Sequence, residues 1–222
     1  GEETLKKIPP YDRLSILNIS GRGIQASDNQ LIFSKCRPRS GTKDTKYKID
    51  SGDFWGTPPS KLAGVWKRFN EGIEESLESL KSKEAGSYTQ LLEQIKEVSR
   101  LPKFGFLDNN KYRKLIIVSD LVQHSNKLNL YDQCNPNCIK WEEFKNSKEL
   151  KTWARMMLPD FGENPPKVQF IFLNENFDQN LNRGIEEFWV DYFTEAGVNN
   201  FLPTQPETGF KVPGLCLKNK KN

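Results

Sequence analysis

A run of branched apolar residues that stops at an acid constrains this chain more than any other stretch. It is Lys111–Ser125, KYRKLIIVSDLVQHS, in which Leu115, Ile116, Ile117 and Val118 follow one another, Ser119 extends the run and Asp120 ends it. The run is too short and too β-branched for a helix, and no polar residue alternates with its members. It reads as a strand buried on both faces, the central kind in an α/β sheet. In such sheets binding groups sit just past the carboxyl ends of the strands. Asp120 stands at that point, with His124 and Ser125 close behind.

The rest of the chain must supply the layers. Arg13–Ser20 (RLSILNIS) alternates apolar and polar residues, and Gln30–Cys36 (QLIFSKC) follows after a short separation, so an antiparallel hairpin is expected. The intervening Gly21-Arg-Gly23-x-x-Ala26 is not a dinucleotide fingerprint, because the next periodic element is a strand and not a helix. Arg37–Pro59 is a long polar loop. Ser60 is the expected cap of a helix whose apolar stripe is Leu62, Val65, Trp66, Phe69, Ile73, Leu77 and Leu80. A second helix carries Leu91, Leu92, Ile95, Val98 and Leu101 and stops at Pro102. Thr89 stands at its start, where helix grammar favours an N-cap.

After the Lys114–Ser119 strand come a helical turn at Trp141–Phe144 and a second short helix. That helix opens at Ser147, carries Leu150, Trp153, Ala154 and Met157, and closes at Pro159. Val168–Leu173 (VQFIFL) reads as another buried strand. Gly184–Ala196 is amphipathic, Gly197 is a natural residue for ending it, and Val198–Leu202 is a candidate short edge strand before a C-terminal tail, 203–222. Strands separated by helices argue for an α/β fold with helices on both faces of a parallel or mixed sheet.

Composition excludes several classes. At 222 residues the chain is long enough to bury a core as one domain without staples. Its 36% hydrophobic content and mean hydropathy of −0.70 are those of a chain with long polar surface segments, and no run of apolar residues is long enough to span a membrane. The net charge is +4, and the most basic stretch, Lys35–Lys48, is broken by Pro38, Ser40, Gly41 and Thr42. That is a solvated loop, so no nucleic-acid partner is expected. Cys134-Asn-Pro-Asn-Cys138 is a tight loop able to close a disulfide or offer two thiolates to a metal. The remaining cysteines, Cys36 and Cys216, are isolated, and His124 is the sole histidine, so the four ligands of a zinc site are not in view.

The helix start Gly86-Ser-Tyr-Thr89-Gln-Leu-Leu, the strand end Ile-Val-Ser-Asp120, the strand VQFIFLN and the closing helix GIEEFWVDYFTEAGV together resemble a von Willebrand factor A-like domain, most like bacterial, poorly characterised members of that superfamily. The resemblance covers about residues 9–202, by element order more than by motif. It implies a single domain over 1–222 with a three-layer, doubly wound (Rossmann-like) mixed sheet and one antiparallel edge strand, supplied by the hairpin. It also implies a metal-ion-dependent adhesion site holding Mg²⁺ (or Mn²⁺), with Thr89 in the position of the second loop's threonine and Asp120 in that of the third loop's aspartate. Such an ion takes oxygen ligands, keeps waters and leaves room for a partner's carboxylate.

The family's first loop, Asp-x-Ser-x-Ser, does not occur in the chain, and no apolar strand precedes Arg13. An α/β sheet without its middle strand leaves unpaired edges. The expectation is therefore an upstream segment carrying that strand, and with it a periplasmic or membrane-anchored setting. The expected function is a protein- or ligand-binding module working at the edge that carries Thr89, Asp120, His124 and Ser125, with a protein partner. The alternatives are a scaffold that needs no metal, and a hydrolase using Asp120 and His124. Three residues this close in sequence do not converge as a triad does, and the nucleophile-elbow, zinc-protease and phosphate-loop motifs are not present.

Overall fold

The computed structural model describes residues 8–18, 31–43, 56–81, 89–107, 113–134, 137–173, 179–202 and 205–206. The Gly21–Gly23 turn, Trp55, the Gly86–Tyr88 lead-in, Cys216 and nearly all of the tail lie outside these residues. The fold is mixed α/β, and its contacts divide it into two compact units.

The first unit is a hairpin with one long helix. Strands β1 (Arg13–Leu17) and β2 (Leu31–Cys36) pair antiparallel, with a register shift between Ile16 and Leu17. Helix α1 (Pro59–Lys81) lays its apolar stripe across them. Phe33, Trp66, Phe69 and Ile73 form the buried core, with Leu14, Ile16 and Leu77 packed around it. The buried Arg37 guanidinium stands 5.0 Å from the Trp66 ring centroid, a cation–π contact. The helix begins one residue before Ser60. Pro59 takes the first helical position, where its missing N–H costs nothing, and the Pro58 carbonyl accepts from Lys61 and Leu62.

The second unit holds the constraining stretch. Helix α2 (Leu91–Arg100) leads to a 3₁₀ turn (Pro102–Phe104) and then β3 (Lys114–Ser119). Three short helices follow, α3 (Leu130–Gln133), α4 (Trp141–Asn146) and α5 (Lys151–Met157). Strand β4 (Lys167–Phe172), helix α6 (Gln179–Glu195) and the two-residue β5 (Gln205–Pro206) complete it. The sheet order is β3-β4-β5, and both pairings are parallel. In place of the candidate edge strand at Val198–Leu202 there is one isolated parallel bridge, Phe201 to Val168, whose backbone bonds Asn200 and Leu202, and β5 lies inside what the sequence reads as tail.

Two findings differ from the sequence reading. Among the described residues the hairpin pairs only with itself, as a separate two-stranded sheet, instead of supplying the edge strand of one mixed sheet. Strand β3 is also not buried on both faces. Ile117 is buried, but Ile116 and Val118 are 42% and 43% exposed. Four apolar residues in a row give burial on both faces only where layers cover both, and among the described residues β3 is an end strand.

The core of the second unit is aromatic. Trp141, Phe144, Phe188, Trp189, Tyr192 and Phe193 are all buried, with neighbouring ring centroids 5.0–6.3 Å apart and mostly edge to face. Each such pair adds about 0.5–1.5 kcal/mol beyond the area it buries. The Trp141 indole donates to Glu195 at 2.6 Å and Lys145 bonds the same oxygen at 2.8 Å, tying α4 to α6. Helix α6 ends in a Schellman motif: Gly197 has φ +86°, its N–H bonds the Thr194 carbonyl and Val198 bonds that of Phe193. Cys134 and Cys138 form a disulfide, and it lies so close to Gly184 of α6 that a Cβ there would meet Cys138 at 2.7 Å.

Candidate functional site

The chain turns sharply where β3 ends. Ser119 accepts the Leu121 N–H on its hydroxyl at 3.0 Å, and Asp120 Oδ1 accepts the Val122 N–H at 3.0 Å. These two side-chain turns in succession push Leu121 to φ +58°, the left-handed region, which costs a non-glycine residue about 1–3 kcal/mol. Two observations offset that cost. The Leu121 side chain is fully buried, and its carbonyl accepts the Trp189 indole N–H at 2.7 Å. Burial of a leucine contributes about 1.5–3 kcal/mol and the hydrogen bond about 1 kcal/mol.

Beyond Leu121 the loop becomes a small hairpin. Leu130 N–H bonds the Gln123 carbonyl, and Ser125 N–H bonds that of Leu128. The Ser125 hydroxyl lies inside the turn, accepting from the Lys127 and Leu128 N–H groups at 3.3 Å and donating to the Leu128 carbonyl at 3.4 Å. Ser125 is buried, so its oxygen organises the turn. Asn129 caps α3 by accepting from Tyr131 N–H, and so brings Tyr131 back over Asp120.

The Tyr131 hydroxyl donates to Asp120 Oδ2 at 3.2 Å, and the tyrosine ring stands edge-on to His124 with centroids 5.9 Å apart. Tyr131 is 50% exposed, while Asp120 and His124 are half-buried. Partial burial raises the Tyr131 pKa above the usual phenol value, and the Asp120 charge and hydrogen bond raise it further. Asp120, His124 and Tyr131 thus form one surface at the carboxyl end of β3. Tyr131 carries no motif. Its place becomes readable only once the turn after β3 is known.

Thr89 joins this surface through its backbone. Its N–H and carbonyl bond the carbonyl and N–H of His124 at 3.1 and 2.8 Å. It is not the helix cap. Gln90 occupies that position without a side-chain bond to the helix end, and the acceptor comes from the buried Gln123, whose Oε1 takes the Leu92 N–H at 3.0 Å. The same amide donates through Nε2 to the buried Glu93 carboxylate at 3.0 Å. Sequence periodicity missed Gln123 because a cap supplied from 31 residues away leaves no local signature.

The Asp120 carboxylate faces Tyr131 and the Ser125 hydroxyl faces a carbonyl, so Asp120, His124 and Ser125 do not form a relay. For Mg²⁺, Asp120 and Thr89 have three side-chain oxygens between them, against the six of an octahedral shell. Both Asp120 oxygens already accept bonds, from Ser119 and Val122 on one and Tyr131 on the other. Among the described residues, no group of three or more His, Cys, Asp or Glu side chains converges. The residues described do not compose a cation cage by themselves.

No protein-family model, curated protein or solved structure matches the chain.

Proposed function

We propose that this chain is a protein-binding module of von Willebrand factor A-like type, which engages its partner at the carboxyl edge of β3. The observation that carries the reading is the locked turn at Leu121. A left-handed leucine is held by a buried indole and two side-chain turns, and the structure it fixes presents Asp120, His124 and Tyr131 together. A pre-organised surface of a carboxylate and two aromatic rings spends little entropy on binding. Ser125 contributes by holding the turn and Thr89 by pinning His124.

The doubly wound sheet of that family is the architecture we assign to the second unit. It is supported by the parallel β3-β4-β5 order. In the cation-dependent form of the reading, Thr89 and Asp120 would hold Mg²⁺ or Mn²⁺, which would supply an open position for a partner's carboxylate.

Two measurements test this. Quantitative affinity capture should compare the wild-type chain with Tyr131→Ala and Asp120→Asn, each checked for native circular dichroism. A partner retained by the wild type and lost by both variants supports the module, and capture indifferent to both changes refutes it. Titration with Mg²⁺ and Mn²⁺ separates the two forms. A thermal shift abolished by Asp120→Asn assigns the cation form, and a flat response assigns the metal-free one.

A further inference from the structure

The ladder between β3 and β4 fixes which backbone groups β3 leaves over. Arg113 accepts from Lys167 N–H and Ser119 accepts from Leu173 N–H, both at 3.0 Å, so the odd-numbered residues of β3 address β4. In a parallel strand the alternate residues turn their N–H and C=O the other way. Lys114, Ile116 and Val118 therefore present unpaired edge groups, and among the described residues no strand meets them. Their side chains share one face, on which Ile116 and Val118 are exposed. Native edges are usually blunted by proline, a bulge or shortness. This one is a regular six-residue strand without proline or bulge.

We propose that this edge is the seam of a symmetric homodimer, in which β3 pairs antiparallel with β3 of a second copy. The charges choose both the partner and the register. The strand begins at Lys114, ends against Asp120 and carries Ile116 and Val118 between them. Run antiparallel about a two-fold axis at Ile117, it complements itself: Lys114 lies opposite Asp120 of the partner subunit and Ile116 opposite Val118 of the partner subunit. Lys114, Ile116 and Val118 lie on the open face, and Asp120 follows directly after the strand. The hydrogen-bonding pairs in this register are formed by the residues whose N–H and C=O point outward. A slip of two residues keeps the backbone bonds but sets Lys114 against an apolar side chain. Such a seam is self-complementary, as a two-fold interface must be. It is smaller than the roughly 800 Å² per partner of a stable complex, so the dimer is weak and concentration-dependent. The inference goes beyond the proposed function; the two share Asp120, and Tyr131→Ala, which leaves the seam residues unchanged, tells them apart.

The test is sedimentation of the full chain from about 1 µM to about 1 mM, the range over which weak association is read. A monomer–dimer equilibrium is expected. Lys114→Glu and Asp120→Lys should each weaken it at least about tenfold. An equal mixture of the two variants should restore it, since each then meets its opposite charge. Because Asp120 also holds the turn, a second pair guards against a misfolded variant. On a Cys36→Ser, Cys216→Ser background, Ile116→Cys mixed with Val118→Cys should be joined by a short bismaleimide better than either chain alone. A monomer at every concentration, association that ignores the charge reversals, or equal cross-linking in all mixtures overturns the dimer. So does a monomer whose Ile116 and Val118 amides exchange slowly, since another segment or partner would then occupy the edge.

Discussion

Gln123 holds two buried groups that water does not reach. Its carbonyl oxygen satisfies an orphan N–H of the α2 amino end and its amide meets the Glu93 carboxylate. Replacing it with leucine keeps most of the volume and strands both. Gln123→Leu should lower stability by about 2–4 kcal/mol, because each buried unsatisfied group is costly and a buried charge more so. Urea unfolding reads this directly, and a loss under about 1 kcal/mol would contradict the account. Tyr131 gives a prediction in pH. Its folded pKa lies above the unfolded value, so its contribution is whole below that value and is lost as pH rises through the folded one. Asp120→Asn removes a charge that favours the protonated phenol, and should move the Tyr131 ultraviolet titration down towards the ordinary range. Burial, the larger cause, keeps part of the rise. A midpoint unmoved by Asp120→Asn would show that the two groups do not interact. At this scale the sequence points to Asp120 because an acid ending an apolar run is a local pattern. Gln123 and Trp189 act across the fold, and no spacing announces them.

Among the elements, periodicity performs well where a helix or strand carries its own signal. The two stripes of α1 and α2, the strands β3 and β4 and the Gly197 helix end are all where residue spacing puts them. Boundaries shift where local chemistry competes, as when Pro59 takes the helix start from Ser60. What spacing does not encode is which sheet a strand joins. The β1–β2 hairpin is legible as a hairpin, but its placement in a sheet of its own depends on the helix that covers it, whose partner residues lie some way along the chain. Helix α6 offers the sharpest test at this level. Gly184→Ala would set a methyl group against Cys138, and should cost about 1–3 kcal/mol by overpacking. Thermal unfolding would show it, and a neutral result would mean that the disulfide loop yields freely.

Across the second unit, protection against amide exchange should follow the layers. The N–H groups of Phe170 and Ile171 in β4 and of Tyr192 and Phe193 in α6 belong to buried residues and should exchange slowest. In dilute chain, those of Ile116 and Val118 should exchange much faster than that of Ile117, and a uniform rate along β3 would overturn the assignment of its free edge. Reduction of the Cys134–Cys138 disulfide should lower stability by roughly 2 kcal/mol, the entropy of so short a loop. Dithiothreitol-dependent melting measures it, and an unchanged midpoint would show that packing alone holds the loop.

The sheet is also unequal at its two sides. One side stops abruptly at a full strand, while the other tapers into two residues whose last is Pro206, which has no N–H to donate. Among the described residues, strand addition to this sheet therefore has one port and not two. A chain with two open edges can be linked end to end without limit, which is how fibrils grow. A sheet with one open edge is used up by its first pairing, so whatever docks on β3 ends the growth of this sheet there.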